Sequence, residues 1–398
     1  MFQIMKTKVW ILLLFLLLMG CQKEHTNAVV DPPKTYTYLV GDGETKFFSA
    51  TTLAFLASLA EADLSEYTYT DVRGIKIVYN TTDENDETIQ ASGMLLIPSG
   101  FEGNGPMISY QHGTISDDND APTNSSTGPN KLSFTALFSG LGAMVALPDY
   151  VGFGQSNTSN HPYLHKDLTA QSTYDFLLAI DEYMDREKIK TNGELYLTGY
   201  SQGGHATMAL HQKIEKENKF QVTHSIPGAG AYDLTLLTEE ILSKDEELPF
   251  MAGYVWALGV YNRLYPALQK PLTYYFNEPY AGRLAAIEKI HAAIGPPTIH
   301  RNPQKLFTPM VIDDFLNGKN PILAEVLDQN SVHDWSPKAP ITLFHGTADD
   351  YVFPTNAQSA FETLRLRGGT VKYVRLEGLG HLEAVGPYLL GVVDIIFD

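Results

Sequence analysis

The sequence predicts an α/β protein with a mostly parallel central sheet, helices on both faces of that sheet and an inserted helical cap. Strand-like apolar runs alternate with helical patterns through most of the chain, which is typical of a parallel sheet covered by helices. The alternation lapses between residues 231 and 338, where helical segments, aromatic residues and prolines dominate. With 398 residues, 44% of them apolar and 19% charged, the chain is long enough to bury a large core.

The first half of the sequence supplies the start of the sheet. Small and apolar residues follow a serine at the beginning of the segment 49–62, which predicts a short capped helix. Two β-rich runs joined by the acidic segment 83–87 predict a pair of strands. The predicted elements are, in order, helix 49–62, strands 69–81, 88–98 and 106–110, helix 132–141, strand 143–147, helix 169–187, strand 194–198 and helix 205–214.

The aromatic-rich segment 231–338 predicts a helical cap lying over one edge of the sheet. Most of its aromatic residues are expected to build the core of the cap, and the others to line a pocket. Strand patterns return at 341–344 and 371–376. The predicted organisation is therefore a first core part at 49–230, the cap at 231–338 and a second core part at 339–398.

The first twenty residues have the pattern of an export signal. Two lysines precede an uninterrupted apolar run, Val9–Met19, which is short for a membrane span. The run leads to Cys21, the only cysteine of the chain. Residues 18–21 resemble the bacterial lipoprotein box, which implies cleavage directly before Cys21 and lipidation of that residue. Lipidation is also favoured because a lone thiol has no disulfide partner in an oxidising compartment. An ordinary signal peptide with an incidental cysteine is the alternative. Residues 21–48 would then form a tether, and the lipid anchor would be the only contact with a membrane.

The net charge of the chain is strongly negative. It is −18 for the whole sequence, and loss of the leader, which has two lysines and no acidic residue, takes it to −20. Such a chain is repelled by nucleic acid and by anionic lipid surfaces, and it contains no basic cluster. The charge therefore argues against a nucleic-acid partner and favours a neutral or cationic ligand.

Residues 199–204 read Gly-Tyr-Ser-Gln-Gly-Gly, a Gly-x-Ser-x-Gly motif. A strand pattern precedes the motif and a helix pattern follows it, so Ser201 is expected on a strained turn that exposes its hydroxyl. The N-terminus of the helix would direct backbone N–H groups towards an oxyanion formed beside that hydroxyl. This setting, more than the motif itself, indicates a nucleophilic serine.

A serine nucleophile needs a base and an acid that orients the base. His381 directly follows the last predicted long strand, so its imidazole is expected over the turn that holds Ser201. Asp349 follows the strand 341–344 and is the predicted acid, with the adjacent Asp350 as its competitor. His345, directly after the same strand, is expected to shape the turn and not to take part in catalysis.

Two backbone N–H groups are needed to bind an oxyanion. The N–H of Gln202, at the start of the helix, is the first predicted donor. The second is expected from Asp149 or from the loop 111–114, in which Gly113 and Thr114 are the candidates.

The sequence predicts neither a metal site nor a cofactor. It has no His-Glu-x-x-His pattern, and no Gly-x-Gly-x-x-Gly fingerprint follows a strand. The histidines His112, His205 and His211 are therefore expected to be structural.

Several segments together resemble the α/β-hydrolase superfamily and, more narrowly, the secretory lipase group that includes the lipase A type of yeasts. The resemblance implies a serine esterase or lipase with a helical lid, in which Ser201 is the nucleophile, Asp349 the acid and His381 the base. It also implies that Asp149 contributes to the oxyanion hole. The segments that carry it, within a match from about residue 69 to the C-terminus, are 110–114, 148–154, 161–164, 199–207 and 345–349.

The leader resembles those of lipoproteins in Gram-negative bacteria. In these leaders a glutamine after the lipidated cysteine permits transfer to the outer membrane, and Gln22 follows Cys21 here. The resemblance implies an exported protein anchored in the outer membrane.

Two features depart from the yeast lipases. Gln202 stands where those enzymes commonly have glycine, and its side chain is expected to narrow the acyl pocket; the chain also lacks the cysteines for their disulfides. The predicted function is hydrolysis of a small-molecule or polymer-linked carboxylic ester through an acyl-enzyme intermediate. The alternatives are a peptidase of the same fold, an acetyl or feruloyl esterase acting on polysaccharides, and a non-catalytic binding lipoprotein.

Overall fold

A computed structural model of the protein describes residues 35–59, 64, 67–126, 131–287, 289–319 and 321–397. The predicted leader at 1–20 and Cys21 lie outside these residues. Nine strands of the described part form one sheet: β1 (Leu39–Phe48), β2 (Val72–Thr82), β3 (Thr88–Pro98), β4 (Met107–Gln111), β5 (Met144–Pro148), β6 (Leu195–Tyr200), β7 (His224–Gly228), β8 (Ile341–Gly346) and β9 (Val371–Leu376).

The sheet is mostly parallel, as predicted. Its strand order is β1-β2-β3-β5-β4-β6-β7-β8-β9. Strands β1, β2 and β3 pair antiparallel, and β3 is also antiparallel to β5. The remaining pairs are all parallel, so six strands share one direction and their carboxyl ends meet at one edge. The acidic turn between β2 and β3 is closed by the Asp83 carboxylate, which accepts the backbone N–H groups of Asn85 and Glu87.

Helices cover both faces of the sheet. On one face, apolar side chains of α1, α2 and α13 share a cluster that includes Leu53, Phe138 and Tyr388. On the other face, α3, α4 and α12 contribute Ala170, Met208 and other residues to a second cluster. The helices of the core are α1 (Ala50–Leu59), α2 (Lys131–Gly140), α3 (Lys166–Glu187), α4 (Gln202–Glu217), α12 (Pro354–Leu366) and α13 (Val385–Phe397).

Among the described residues between β7 and β8, seven helices form the predicted cap. Two of them begin with ordinary capping chemistry: Asn302 and Thr308 accept N–H groups of the first turn, each directly before a proline. The cap is not a separate body, because one apolar cluster joins it to core residues such as Tyr150, Phe153 and Tyr163. The cap helices are α5 (Leu234–Ser243), α6 (Met251–Leu264), α7 (Leu272–Tyr275), α8 (Tyr280–Ala285), α9 (Pro303–Leu306), α10 (Pro309–Leu316) and α11 (Pro321–Asn330).

The C-terminal helix α13 fixes the sheet below the predicted nucleophile. The buried hydroxyl of Tyr388 accepts the N–H of Gly199 at 2.8 Å and donates to the carbonyl of Ile226 at 3.0 Å. It also lies 2.5 Å from Thr198 Oγ1. One side chain thus joins the ends of β6 and β7. Within the described range, no helix combines the length and apolarity needed to cross a bilayer.

Several elements differ from the prediction. Residues 39–48, placed in the tether by the sequence, form the edge strand β1 instead. Its middle is exposed and contains two glycines, so it lacks the apolar alternation of a strand. Strand β7 was not predicted because Pro227 and Gly228 occupy two of its five positions. Helices α12 and α13 were also not predicted.

Candidate active site

Ser201 lies on a sharp turn between β6 and α4. Its backbone has φ 61° and ψ −121°, a conformation that costs energy for a side chain larger than glycine. Two neighbouring glycines make the turn possible: a Cβ on Gly199 would lie 2.5 Å from the Gln111 carbonyl oxygen, and a Cβ on Gly203 would lie 2.0 Å from the same atom. The predicted strand–turn–helix setting of the serine is therefore present.

Three side chains from distant parts of the chain form a continuous hydrogen-bonded relay. His381 Nε2 lies 2.9 Å from Ser201 Oγ, and His381 Nδ1 lies 2.7 Å from Asp349 Oδ2. The histidine is 5% exposed and the aspartate 3% exposed, whereas Ser201 retains partial exposure. The structure thus brings the three predicted residues together at the carboxyl edge of the sheet.

The Asp349 carboxylate is held in its ionised form. Burial raises its pKa, but hydrogen bonds from His345 and His381 outweigh burial and hold the pKa well below its usual range. Oδ2 of this carboxylate contacts His381, and Oδ1 accepts the backbone N–H groups of Tyr351 and Val352, both at 2.9 Å. Because an ionised carboxylate only accepts hydrogen bonds, His381 Nδ1 carries a proton and the Nε2 of the neutral ring can accept the Ser201 proton.

The two residues next to this carboxylate have the positions expected from the sequence. Asp350, its competitor in the sequence, is exposed to solvent and makes no contact with His381 in the described structure. His345 is fully buried, and its Nε2 lies 2.7 Å from the Val352 carbonyl oxygen and 3.2 Å from Asp349 Oδ2. His345 therefore closes the turn that presents Asp349.

Two tyrosines that the sequence did not single out lie against the His381 imidazole. The Tyr351 ring stacks on the His381 ring with centroids 4.8 Å apart and planes at 13°. The Tyr200 ring is tilted at 52° with centroids 5.2 Å apart, and its hydroxyl donates to the His381 carbonyl oxygen at 2.7 Å. A tyrosine two residues after the predicted acid was the available signal for the first contact; the second depends on the tertiary fold.

The backbone N–H of Asp149, one of the predicted oxyanion donors, is already engaged within the sheet. Its backbone N–H donates to the Ser92 carbonyl oxygen at 3.0 Å, in the pairing of β5 with β3. Its buried carboxyl group accepts hydrogen bonds from Ser92 and Thr123, and burial raises its pKa. The carboxyl group of Asp149 therefore joins strand β3 to the loop at Thr123.

The remaining candidate donors lie beside the nucleophile. The N–H of Gln202 is at the first position of α4, where no carbonyl within the helix can accept it. Gly113 packs on the turn, because a Cβ there would lie 3.2 Å from the Tyr200 carbonyl oxygen and 3.8 Å from Ser201 Cβ. The N–H groups of Gly113 and Thr114 have no acceptor among the described residues.

The Gln202 side chain points towards His161. Its amide nitrogen lies 2.7 Å from His161 Nε2, while His161 Nδ1 lies 2.7 Å from the Val151 carbonyl oxygen. Burial lowers the pKa of His161 to about 3, so the ring is neutral and its Nε2 accepts from the amide. The glutamine is thus locked in one orientation beside the nucleophile.

A cleft of about 560 Å³ is lined by residues of the core, His161 among them, and by residues of the cap; Ser201 and His381 are not part of this lining. Its volume is in the range of small-molecule sites. The wall from the core is polar and the wall from the cap is largely apolar, so the cleft suits an amphipathic ligand. The polar wall includes Ser116, Asp118, Asn157, Ser159 and Asn160, and the apolar wall includes Trp256, Val260, Leu272, Leu284, Ile287 and Ile290.

A second serine–histidine–acid arrangement is present in the core. Ser225 Oγ lies 2.9 Å from His211 Nδ1, and His211 Nε2 lies 3.0 Å from Glu215 Oε1. Ser225 and His211 are completely buried, so no substrate can reach the hydroxyl. The carboxylate also accepts the N–H groups of Lys338 and Ala339. This group therefore joins α4 and β7 to the chain before β8.

The other two histidines expected to be structural also make internal contacts. His205 Nε2 lies 2.9 Å from the Asn330 carbonyl oxygen, which joins α4 to the end of α11. His112 Nε2 lies 3.2 Å from the Asp149 carbonyl oxygen, and the ring packs on Tyr150.

The sheet, the turn that presents Ser201 and the chain order serine, aspartate, histidine define an α/β-hydrolase. The secretory lipase family model matches residues 121–386, and the chain belongs to that family. It is accordingly a hydrolase of the carboxylesterase and lipase type, and the family indicates an exported protein.

Solved structures with the same fold come from bacteria and a yeast. A protein of Legionella pneumophila is 25% identical, with a TM-score of 0.81 over 90% of this chain and 97% of that one. The rice cell wall degrading esterase LipA of Xanthomonas oryzae is 22% identical, with a TM-score of 0.78 over 92% and 99%. Candida antarctica lipase A is 16% identical, with a TM-score of 0.62 over 88% and 78%. No curated protein matches the sequence.

Proposed function

We propose that the protein hydrolyses carboxylic esters with Ser201 as nucleophile, His381 as general base and acid, and Asp349 as the group that orients the histidine. The observation that carries this proposal is the relay itself, with contacts of 2.9 Å and 2.7 Å at the two imidazole nitrogens. Family membership supports the same chemistry.

The reaction has two halves. In the first, Ser201 Oγ attacks the carbonyl carbon while its proton moves to His381 Nε2; the carbon–oxygen bond to the alcohol then breaks, and His381 protonates the departing alkoxide. In the second, water gives its proton to His381 Nε2 and attacks the acyl-enzyme, and Ser201 leaves with that proton. The ionised Asp349 stabilises the imidazolium in both halves.

The oxyanion of each tetrahedral intermediate is assigned to two backbone donors. One is the N–H of Gln202, which the dipole of α4 makes more effective. The other is an N–H of the loop at Gly113 and Thr114, since that loop packs on the turn and the Asp149 N–H is already used in the sheet. Preorganised donors of this kind are typically worth about 3 kcal/mol each in the transition state.

The decisive experiment compares two buried or partly buried serines with the same kind of histidine contact. Ser201→Ala is expected to lower hydrolysis of p-nitrophenyl butyrate by at least about a thousandfold and to abolish covalent labelling by a fluorophosphonate. Ser225→Ala, the matched control, should keep wild-type turnover and labelling. Equal activity in the Ser201 variant would refute the assignment, and an unlabelled wild-type protein would favour the non-catalytic alternative.

Esters attached to polysaccharides are a second candidate substrate class. The polar wall of the cleft favours them, as does the likeness in fold to a cell wall degrading esterase. A series of p-nitrophenyl esters from two to twelve carbons, with acetylated xylan beside it, separates the classes. Preference for two to four carbons with release of acetate from xylan supports this candidate. Faster cleavage of aminoacyl anilides than of esters would indicate a peptidase.

Lipidation at Cys21 is proposed from the sequence of the leader. It predicts that the protein expressed in a Gram-negative host partitions into the detergent phase of Triton X-114. Cys21→Ser should move it to the aqueous phase, while a substitution of the nearby Lys23 should leave it in the detergent phase. Aqueous partitioning of the unsubstituted protein would contradict the anchor and would leave the hydrolase assignment untouched.

A further inference from the structure

Tyr351 contacts two members of the relay at once. It lies two residues after Asp349, and its backbone N–H donates to Asp349 Oδ1 at 2.9 Å. Its ring covers one face of the His381 imidazole, with centroids 4.8 Å apart and planes nearly parallel. The residue therefore restricts both the carboxylate and the plane of the ring that it orients.

The other face of Tyr351 belongs to the cap. The Phe250 ring, at the start of α6, stacks on the Tyr351 ring with centroids 5.1 Å apart and planes at 12°. The Tyr254 hydroxyl, one turn further along α6, donates to the Tyr351 carbonyl oxygen. Phe250, Tyr351 and His381 thus form a continuous stack from the cap to the catalytic base.

The helix is shaped to hold this stack. A Cβ on Gly253 would lie 2.1 Å from the Phe250 ring, so only glycine at this position leaves room for the ring against α6. Phe250 also meets Tyr254 edge to face, with centroids 5.9 Å apart. Two cap aromatics and one glycine therefore converge on the loop that carries Asp349.

We propose that Tyr351 is a positioning residue that couples the seating of cap helix α6 to the orientation of the His381 imidazole. The inference rests on the proposed function, since it assigns Tyr351 a role only if His381 is the base. When α6 is seated, Phe250 and Tyr254 hold Tyr351, and Tyr351 keeps the imidazole in the plane that serves both Asp349 and Ser201.

The physical basis is the number of orientations open to the imidazole. Two hydrogen bonds fix its nitrogens, but small rotations out of the plane lengthen the contact to Ser201. The Tyr351 ring, stacked on the face of the imidazole, opposes these rotations and also attracts the imidazolium formed during the reaction. Loss of the Tyr351 ring should therefore lower kcat and leave KM nearly unchanged, because the proposed role of Tyr351 is to orient His381 and not to bind the substrate.

The test is a double-mutant cycle on kcat with p-nitrophenyl butyrate. Tyr351→Leu removes the ring but keeps the backbone contacts, and it should lower kcat by about tenfold or more with KM within about twofold. Tyr351→Phe keeps the ring and should recover most of the lost kcat. Phe250→Leu should lower kcat by a smaller factor. Tyr274→Leu, which removes a cap tyrosine without contact to the relay, is the control for loss of a ring in the cap.

The cycle distinguishes coupling from simple destabilisation. If Phe250 acts through Tyr351, adding Phe250→Leu to Tyr351→Leu should lower kcat no further. The inference would be overturned if the fold losses of kcat in the two single variants multiplied in the double variant. A Tyr351→Leu variant with wild-type kcat would also overturn it. Should Tyr351→Leu not fold, an unchanged kcat in Phe250→Leu alone would also overturn it. Failure of the hydrolase proposal is recognised separately, because the unsubstituted protein would then have no esterase activity.

Discussion

Acid should weaken the attachment of helix α4 to the end of the cap, because that attachment depends on the buried side chain of His205. This residue lies on α4, four positions after Ser201, and its Nε2 contacts the Asn330 carbonyl oxygen at 2.9 Å. The Asn330 side chain in turn accepts the Lys166 N–H and donates to the Tyr265 hydroxyl, so one asparagine joins α3, α4 and the cap. We predict that His205→Gln weakens the pH dependence of stability.

The magnitude follows from the position of the imidazole in the fold. His205 is 1% exposed, and burial lowers its pKa to about 4, against a usual value of about 6.5 in an unfolded chain. Between these values the unfolded state binds more protons than the folded state, so stability falls as pH falls from 6.5 to 4. The loss from this single group is about 2 kcal/mol at pH 5 relative to pH 8, and it approaches about 3 kcal/mol below pH 4.

Urea unfolding at pH 8 and pH 5 measures this difference directly. The unsubstituted protein should lose more free energy of unfolding between the two pH values than His205→Gln does, by about 2 kcal/mol. The comparison cancels the contribution of His161, which is also buried with a lowered pKa but is present in both proteins. Equal losses in the two proteins would refute the reasoning, whatever their stabilities at pH 8.

Three further predictions concern the site and the residues that support it. Asp349→Asn should lower kcat by about four orders of magnitude, because the imidazole loses its required tautomer, while the exposed Asp350→Asn stays near wild type in the same ester assay. Gly203→Ala should destabilise the fold by more than about 3 kcal/mol in urea unfolding, since its Cβ would overlap the Gln111 carbonyl oxygen; wild-type stability would contradict this contact. Tyr388→Phe should cost about 1–3 kcal/mol by leaving the buried N–H of Gly199 without its acceptor, and an unchanged urea midpoint would contradict that role.

The parts of the site that the sequence could predict depend on local chain geometry. The turn at Ser201 needs glycines at fixed spacing between a strand and a helix, and residues 199–204 contain that pattern. Parallel strands have their carboxyl ends at one edge of the sheet, so residues directly after β8 and β9 were candidates for the site. Asp349 and His381 were predicted in this way. The family resemblance pointed to the same residues.

The features that the sequence did not predict depend on the pairing of strands across the sheet. Whether the Asp149 N–H is available is decided by β3, more than fifty residues earlier in the chain, which takes that N–H into the ladder. Neither a local pattern around Asp149 nor the family resemblance reveals this hydrogen bond. Strand β1 was assigned to the tether for a related reason, because its place is set by pairing with β2 while its own sequence is polar.

Hydrogen-bond connectivity alone does not identify a catalytic relay in this fold. Ser225, His211 and Glu215 are linked as closely as the relay at Ser201, yet both the serine and the histidine are sealed in the core. What separates the two groups is the backbone. Ser201 stands on a strained turn at the edge of the sheet, where its hydroxyl keeps partial exposure, whereas Ser225 lies within β7 with its hydroxyl under α4. Access is therefore created by the turn, and the glycines that permit the turn are as necessary to the chemistry as the three side chains.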